Sequence, residues 1–286
     1  MLKIALPNKG RLADDTRRLF DEAGLEVRAS GERALTASLG GEFAALFVRA
    51  QDIPEFVADG AADAGITGWD LVCESGRALD TLLDLGFGRC RVVLAARDES
   101  NVRALSDLGA AVRVATVFPR VTRSFFESHH IAAEIVPMSG AVEIAPHLGI
   151  ADVIVDLTET GSTLRVNGLR EIATIMESSA RLVTAPGPRN PDGARALGEL
   201  VTALGSVLRA RGRRYLMANV PRARLDDVRR VVPGLNGPTV VDILNGGLMV
   251  AVHAVVESAS IYRTIADLKT LGAEGILVTR IERLVP

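Results

Sequence analysis

The chain has 286 residues, of which 48% are hydrophobic and 24% are charged, and its formal net charge is −2. This composition is typical of a globular protein, and the length allows two or three domains of roughly 100–200 residues each. The near-neutral charge excludes a broad electrostatic surface for nucleic acid. An anionic ligand would therefore need a local cluster of basic side chains.

The cysteines and the apolar segments indicate the cellular context. Cys73 and Cys90 have no paired metal-binding spacing and fit small buried side chains in a reducing compartment. No apolar run approaches the roughly 20 residues that span a bilayer, and the N-terminal segment lacks the pattern of a secretory signal. We therefore expect a cytoplasmic protein with neither a membrane nor a nucleic-acid partner.

The first ninety residues alternate strands with helices. Strands are predicted at residues 2–6, 43–48 and 63–66, and helices at residues 11–23, from 53 and from 67. Asp52 is expected to cap the second helix, whose first turn contains Pro54. This alternation is typical of a parallel sheet covered by helices.

The same alternation returns after residue 91. Strands are predicted at residues 92–96, 113–116, 134–136, 153–155 and 181–184, and helices at residues 119–128, 141–148 and from 191. We expect two α/β lobes built like periplasmic binding proteins, residues 1–90 with 173–212 and residues 91–172. Ligands of such folds bind in the cleft at the carboxyl ends of the strands.

Residues 213–286 predict a separate domain. Its strands are expected at residues 214–220, 239–243, 248–256 and 275–280, with helices at 222–230 and 258–271. This βαββαβ order is ferredoxin-like, and the sequences at 233–238 and 245–247 are strong turn signals. By analogy of fold, such an appended domain is more often regulatory or used in assembly than catalytic.

Residues 151–164 combine a short strand, an acidic residue and a hydroxyl-rich loop. The strand is expected at Val153–Val155, and Asp156 after it could bind the vicinal hydroxyls of a ribose. The loop could bind a phosphate through its N–H and hydroxyl groups, and its residues are Thr158, Glu159, Thr160, Gly161, Ser162 and Thr163. The alternative is an ordinary polar turn, since loops are rich in these residues.

Further candidates follow other strands. Lys9 and Arg11 could face an anion at the start of the first helix or form a solvated turn. Arg49 could lie in the cleft or be a surface cation. Asp70 is expected to cap its helix, and Glu143 lies in a first helical turn, where an acid is stabilised whatever its function. No nucleophile–histidine set and no histidine metal-ligand spacing is visible.

Several segments together resemble the ATP phosphoribosyltransferase family. They occur in order along the whole chain, at residues 5–12, 65–70, 140–143, 148–152, 156–164 and 167–169. Residues 215–217, 233–235 and 238–239 are similar to the C-terminal regulatory domain of the family's long form. Each segment alone is a weak indication of the family, but their occurrence in the same order and at matching intervals is a strong one.

The resemblance implies the transfer of a phosphoribosyl group from phosphoribosyl pyrophosphate (PRPP) to N1 of ATP, the first step of histidine biosynthesis. Asp156 would bind the ribose and the following loop, Thr158 to Thr163, the 5-phosphate. Lys9, Arg11 and Arg49 would balance the pyrophosphate and triphosphate charges. Asp70, Leu71 and Glu143 would line the nucleotide site. A Mg²⁺ ion is implied, bound chiefly by substrate oxygens, and no protein ligand is assigned to it.

The similarity to the long form implies a homo-oligomer, a dimer or hexamer, that is inhibited by histidine. It also implies that no partner resembling a histidyl-tRNA synthetase is needed. The implied histidine site consists of Asn219, Leu235, Gly237, Thr239 and Ala273. An amide at residue 219 would bind an ammonium group less tightly than a carboxylate would.

A solute-binding or ligand-sensing module is the competing class of protein, because two α/β lobes around a cleft also describe those proteins. The missing secretory signal and the missing helix-turn-helix argue against its two common forms. A phosphoribosyltransferase with another acceptor is excluded only by the wider resemblance.

Overall fold

The computed structural model describes residues 1–29, 31, 34–244 and 247–285. The chain forms two compact units, Met1–Val201 and Thr202–Pro286. Among the helices that the structure describes, none combines the length and the apolar character required to cross a membrane.

The strands and helices are as follows. In chain order the strands are β1 (Leu2–Pro7), β2 (Val27–Ala29), β3 (Thr36–Leu39), β4 (Phe43–Val48), β5 (Ala64–Gly68), β6 (Asp80–Asp84), β7 (Cys90–Arg97), β8 (Val112–Thr116), β9 (Ala133–Pro137), β10 (Val153–Thr158), β11 (Leu169–Ser178), β12 (Ala180–Thr184), β13 (Arg213–Pro221), β14 (Thr239–Asp242), β15 (Met249–Glu257) and β16 (Glu274–Arg280). The helices are α1 (Arg11–Glu22), α2 (Ile53–Ala58), α3 (Trp69–Ser75), α4 (Pro119–Ser128), α5 (Ser162–Val166), α6 (Pro191–Ala210), α7 (Leu225–Val231) and α8 (Ile261–Thr270).

The first unit contains two mixed sheets. The seven-stranded sheet has the order β2-β3-β4-β1-β5-β12-β6, and the five-stranded sheet has the order β11-β7-β10-β8-β9. The parallel strands are β4-β1-β5 in the middle of the first sheet and β10-β8-β9 at one side of the second. The antiparallel neighbours β7, β11 and β12 carry the chain from one sheet to the other and back. The prediction of parallel pairing is therefore correct for these strands and wrong for the remaining strands of the two sheets.

The five-stranded sheet is buried on both faces at β10. Val153 and Val155 pack in one hydrophobic cluster and Ile154 packs in the cluster on the opposite face. A continuous apolar run is the expected sequence pattern of such a strand. Alternation places Asp156 on the face of Ile154.

The second unit has an antiparallel sheet of order β14-β15-β13-β16. Its core joins Leu216, Val250 and Val252 of the sheet to Val228 of α7 and Leu268 of α8. The predicted architecture, two α/β lobes followed by a ferredoxin-like domain, is confirmed. The limits assigned to the three domains stay a prediction.

Two predicted elements differ from the structure. The helix expected at residues 141–148 is a short 3₁₀ turn, Val142–Ile144, because Pro146 lacks the N–H that an α-helix would need there. The strand expected to end at Val155 continues to Thr158, since β7 pairs with it as far as Arg91.

Smaller corrections concern caps and turns. Asp52 makes no capping bond, and its carboxylate instead accepts a hydrogen bond from Arg49 Nε at 2.8 Å. Strands β2, β3, β6 and β11 were not predicted, since they are short or irregular. In the turn predicted at 245–247, Asn245 and Gly246 lie outside the described residues.

Candidate functional site

Three loops meet at the carboxyl edge of the seven-stranded sheet. Pro7 of β1 pairs with Val48 of β4, and Asn8 N donates to Val48 O at 2.9 Å. Thr67 Oγ1 at the end of β5 donates to Ala50 O at 2.7 Å. The turn that holds Lys9 therefore lies beside the segment that holds Arg49, as parallel neighbouring strands require.

The side chains on this edge are open to solvent. Lys9 is exposed, and Gly10 precedes α1 with φ 81°, a left-handed value that favours glycine. The Arg49 guanidinium forms an ion pair with the Asp52 carboxylate, three residues further along the chain. Both cations are thus present at the edge, and Arg49 already has a carboxylate partner.

The second sheet presents Asp156 at its own carboxyl edge. Val155 of β10 pairs with Thr116, the last residue of the parallel strand β8, so Asp156 lies just beyond the pairing of these two strands. Its Oδ1 accepts a hydrogen bond from Leu157 N at 2.7 Å. Burial raises the pKa of Asp156, and the negative charge of Glu143 raises it further, whereas the Leu157 bond lowers it. The structure thus brings Asp156 and Glu143 together.

The loop after Asp156 is a compact turn. Thr158 is buried, and its Oγ1 accepts a hydrogen bond from Gly161 N at 2.9 Å, where Gly161 has φ 74°. Thr160 Oγ1 lies 3.0 Å from Ser162 Oγ, and both residues are exposed. Arg165 Nη1 donates to Thr160 O at 3.2 Å. Sequence reasoning missed this arginine, which lies two residues beyond the loop, in α5.

Arg11 and Glu159 bind each other across the two lobes. Arg11 Nη1 and Nη2 donate to the two carboxylate oxygens of Glu159 at 2.5 and 2.8 Å. The hydrogen bond and the opposite charge lower the pKa of Glu159 and raise that of Arg11. Two residues predicted to bind different substrates therefore neutralise one another, and a phosphate approaching Arg11 would compete with Glu159.

Asp70 is one of the few buried polar residues described, with 5% of its surface exposed. Ser178 Oγ donates to Asp70 Oδ1 at 2.5 Å and accepts a hydrogen bond from Asp70 N at 3.0 Å. Burial raises the pKa of Asp70. The hydrogen bonds that its carboxylate accepts from the Ser178 hydroxyl and from the N–H groups of Asp70 and Leu71 act in the opposite direction and lower this pKa. Asp70 is the second residue of α3 and does not cap it, contrary to the prediction, because Gly68 occupies the cap position.

Two adjoining cavities lie between the lobes. The smaller, of about 210 Å³, is lined by Arg11, Leu12, Gly68, Asp70, Leu71, Gly88, Arg89, Cys90, Leu157 and Glu159. The larger, of about 490 Å³, shares Arg89, Cys90 and Glu159 with it and adds Asp84, Arg91, Glu177, Ser178, Ser179 and Arg181. The first is a largely apolar slot with one buried carboxylate, and the second is lined by charged groups.

A further contact joins the lobes at the start of α4. The two carboxylate oxygens of Glu74, in α3, accept hydrogen bonds from Arg120 N and Val121 N at 2.9 and 3.0 Å. The N–H groups of a helix start have no partners within the helix, so Glu74 satisfies two of them.

The residues implied for histidine binding are only partly brought together in one chain. Asn219 of β13 pairs with Glu274, next to the buried Ala273. Thr239 of β14 lies on the other side of β15, where it pairs with His253. Leu235 and Gly237 are exposed in the segment that leads into β14.

The family is decided by comparison with known proteins. The model described as "HisG: ATP phosphoribosyltransferase" matches residues 49–206, and "HisG, C-terminal domain" matches residues 210–283. An ATP phosphoribosyltransferase of Gemmatimonas aurantiaca is 70% identical over 100% of both chains. This chain belongs to the ATP phosphoribosyltransferase family.

Other members support the same conclusion. The ATP phosphoribosyltransferase of Halorubrum lacusprofundi is 48% identical over 99% of this chain and 100% of its own length. The solved ATP phosphoribosyl transferase (HisG:HisZ) complex of Thermotoga maritima superposes with a TM-score of 0.60 and 31% identity, covering 71% of this chain and 94% of that one. The sequence-based prediction of the family and of a phosphoribosyltransferase is confirmed.

Proposed function

We propose that the cleft of the first unit carries out the family's reaction, with PRPP bound at the Asp156 edge and ATP at the Asp70–Leu71 corner. The observation that supports this placement is the smaller cavity, which Asp70 and Leu71 line from one lobe and Leu157 and Glu159, just after Asp156, line from the other. N1 of the adenine can then approach C1′ of the ribose from the opposite lobe. Holding both substrates in one geometry is the main catalytic task, because the reaction needs no covalent nucleophile.

The proposed PRPP site consists of Asp156 and the turn that follows it. The Asp156 carboxylate is fixed by the Leu157 N–H and can accept hydrogen bonds from the two ribose hydroxyls. The exposed hydroxyls of Thr160 and Ser162 and the nearby Arg165 guanidinium suit the 5-phosphate. Glu159, Gly161 and Thr163 complete the loop.

The departing pyrophosphate needs positive charge. Lys9 and Arg49 lie at one edge of the first sheet, and Arg11 begins the adjacent helix. These three cations would balance the charge that the pyrophosphate oxygens gain as the C1′–O bond breaks. Arg11 must exchange Glu159 for phosphate when it does so.

The protein offers no dedicated metal cage in the part of the chain that the structure describes, since no group of three or more His, Cys, Asp or Glu side chains could hold an ion. The substrate phosphates are then the main oxygen ligands for Mg²⁺, which would neutralise part of their charge.

The second unit is proposed as the regulatory domain of a long-form enzyme. Support comes from the match of residues 210–283 to the C-terminal family model and from the ferredoxin-like sheet. On this proposal the enzyme is a cytoplasmic homo-oligomer, a dimer or hexamer. It is inhibited by histidine and active without a partner of the kind named in the Thermotoga complex.

Activity is tested by mixing the protein with ATP, PRPP and Mg²⁺, together with a pyrophosphatase that removes the product, and following near-ultraviolet absorbance. We expect a change that requires both substrates. A folded protein that gives none, alone and with a histidyl-tRNA-synthetase-like partner added, would contradict the proposed function. Activity only with the partner would contradict its self-sufficiency.

Histidine inhibition is tested at residue 219. We expect Asn219→Asp to lower the histidine concentration for half-inhibition by roughly tenfold, because a carboxylate forms a charge-assisted bond to an ammonium group. Asn101→Asp, the same charge change at an exposed residue of the first unit, is the control. An equal response of the two variants would remove Asn219 from the site.

A further inference from the structure

The cap of helix α4 comes from the other lobe. Phe118, at the position before the helix, has no side-chain acceptor, and Pro119, the first helical residue, has no N–H. The N–H groups of Arg120 and Val121 therefore need an acceptor from another element. The two carboxylate oxygens of Glu74, in α3, accept their hydrogen bonds at 2.9 and 3.0 Å. Because α3 follows β5 of the seven-stranded sheet and α4 follows β8 of the five-stranded sheet, this cap joins the two lobes.

The helix α3 is also packed against the second lobe at both of its ends. Leu71, its third residue, packs against the hydrophobic cluster of the five-stranded sheet, which contains Phe126 of α4. The Arg120 guanidinium lies against Gly76, which follows α3 with φ 67°, in the space that a Cβ would occupy. The Glu74 contact lies between these two points. By chain order α3 is part of the first lobe, but its packing ties it to the second.

The Glu74 contact fixes an orientation as well as a distance. Two oxygens of one planar carboxylate accept bonds from two successive N–H groups, whose directions are set by the helix. The Arg11–Glu159 ion pair, by contrast, joins two side chains that are 64% and 50% exposed and can turn together. The chain itself passes between the sheets twice, from β6 to β7 and from β11 to β12. Glu74 adds a directional connection that does not run along the chain.

The angle between the lobes matters for the proposed reaction. ATP is placed on the lobe of the seven-stranded sheet and PRPP on the lobe of the five-stranded sheet. N1 of the adenine then meets C1′ in line with the departing pyrophosphate only when the lobes have the right relative orientation. A misplacement of reacting atoms by about 1 Å can lower a rate by about 100-fold although both substrates remain bound. A contact that fixes this angle should therefore affect the transfer step more than the affinity for either substrate.

We propose that Glu74 is a positioning residue, which caps α4 from α3 and thereby fixes the angle at which the two lobes present their substrates to each other. Its effect on turnover rests on the proposed function, whereas its effect on the angle does not. Among the described residues, Glu74 is not one that lines either cleft cavity, so it acts through the two helices.

The first experiment compares Glu74 with Asp107, whose carboxylate makes the same kind of contact within one lobe. Asp107 Oδ2 accepts hydrogen bonds from Arg103 N and Ala104 N at 2.8 and 2.9 Å. We expect Glu74→Ala to lower kcat by roughly tenfold and to change KM for ATP and for PRPP by less than about threefold. Asp107→Ala should keep kcat within about twofold of the wild-type value. Equal losses of kcat in the two variants would overturn the positioning role, because the loss of a local cap would then explain both.

A conservative variant separates the hydrogen bonds of Glu74 from the size of its side chain. Glu74→Gln keeps the shape and one oxygen acceptor, but it turns an amide donor toward the second N–H group. We expect a kcat between those of the wild type and Glu74→Ala, again with both KM values nearly unchanged. If Glu74→Ala fails to fold, the same comparison is made between Glu74→Gln and Asp107→Asn. A wild-type kcat in Glu74→Gln and in Glu74→Ala, or in Glu74→Gln alone if the alanine variant does not fold, would overturn the proposal.

The angle itself can be measured without turnover. Spin labels are attached at two exposed residues, Asp21 of α1 and Glu134 of β9, through an unnatural amino acid that leaves both native cysteines unmodified. The labelled protein is diluted with unlabelled protein to suppress distances between copies. We expect double electron–electron resonance to give a broader distribution of distances for Glu74→Gln than for the wild type, and an unchanged distribution for Asp107→Asn.

The two readouts distinguish a failure of this inference from a failure of the proposed function. An unchanged distance distribution in Glu74→Gln would overturn the inference even if the wild-type enzyme turns over ATP. A broadened distribution in a protein whose wild type catalyses no transfer would preserve the role of Glu74 in fixing the lobes and contradict the proposed reaction.

Discussion

Asp70 and Asp156 occupy comparable places in the two lobes, each close to the carboxyl end of a central strand. Burial raises the pKa of both. Their neighbours differ, since Asp70 is held by the Ser178 hydroxyl, whereas Asp156 faces the charge of Glu143. The comparison teaches that each lobe places a carboxylate near the end of a strand and surrounds it with different groups; on the proposed function, these groups decide which substrate the carboxylate binds.

The largest expected effect is the loss of PRPP affinity when the Asp156 carboxylate is removed. Asp156→Ala should raise KM for PRPP by about 100-fold, because two hydrogen bonds to a charged group are lost. The dissociation constant for ATP should change by no more than a few-fold in calorimetry. Asp152→Ala, which removes an aspartate paired with Arg113 at the other end of β10, is the control. Equal loss for both substrates would contradict the assignment.

The second prediction concerns a substitution that changes the orientation of the Asp70 carboxylate and keeps its charge. Gly68→Ala should displace the carboxylate from Ser178, because the added Cβ would lie 3.3 Å from Asp70 Cγ and closer still to Oδ1. We expect roughly a tenfold lower kcat with an unchanged KM for PRPP. Gly198→Ala, in α6, is the control because its Cβ meets nothing within 4 Å. A variant as active as this control would show that the fixed orientation is unimportant.

The third prediction concerns the pH at which Asp156 ionises. Glu143→Gln removes a negative charge that raises the pKa of Asp156, so Asp156 should ionise at lower pH. The acid limb of kcat/KM for PRPP should therefore move to lower pH. Glu134→Gln, an exposed acid on β9, should leave the limb in place. If the limb stays fixed in Glu143→Gln, Asp156 is not the group that titrates.

The smallest expected effect concerns the contact between the lobes. Glu159→Gln should release Arg11 for phosphate and lower KM for ATP roughly two- to fivefold, less at high salt, because both side chains are exposed. Arg11→Ala should raise the same KM. An increase in both variants would mean that the ion pair itself supports binding.

Much of the fold follows from apolar periodicity. The helix predicted at residues 119–128 has the observed limits of α4, and the ferredoxin-like order was readable because strong turn signals separate its elements. The strand at β11 was missed, since its partly buried residues and two register shifts blur the alternation. The helix expected around Glu143 failed because Pro146 outweighs the apolar pattern.

The site was predictable only in part. Strand ends and a hydroxyl-rich loop pointed to Asp156, Lys9 and Arg49, which the structure places at two sheet edges. Ser178 could not be found, since its partner Asp70 lies 108 residues away in the chain. Such a pairing depends on how β11 enters the neighbourhood of α3, which no local pattern specifies. The roles of the predicted site residues stay predictions.

The Glu74 carboxylate on the start of α4 has a consequence for where phosphate can bind. A ten-residue helix with open N–H groups would attract any polyphosphate in the cell, including both substrates. The Glu74 carboxylate accepts two of the hydrogen bonds that a bound phosphate would otherwise accept from this helix start. These two N–H groups are therefore not available to a substrate phosphate.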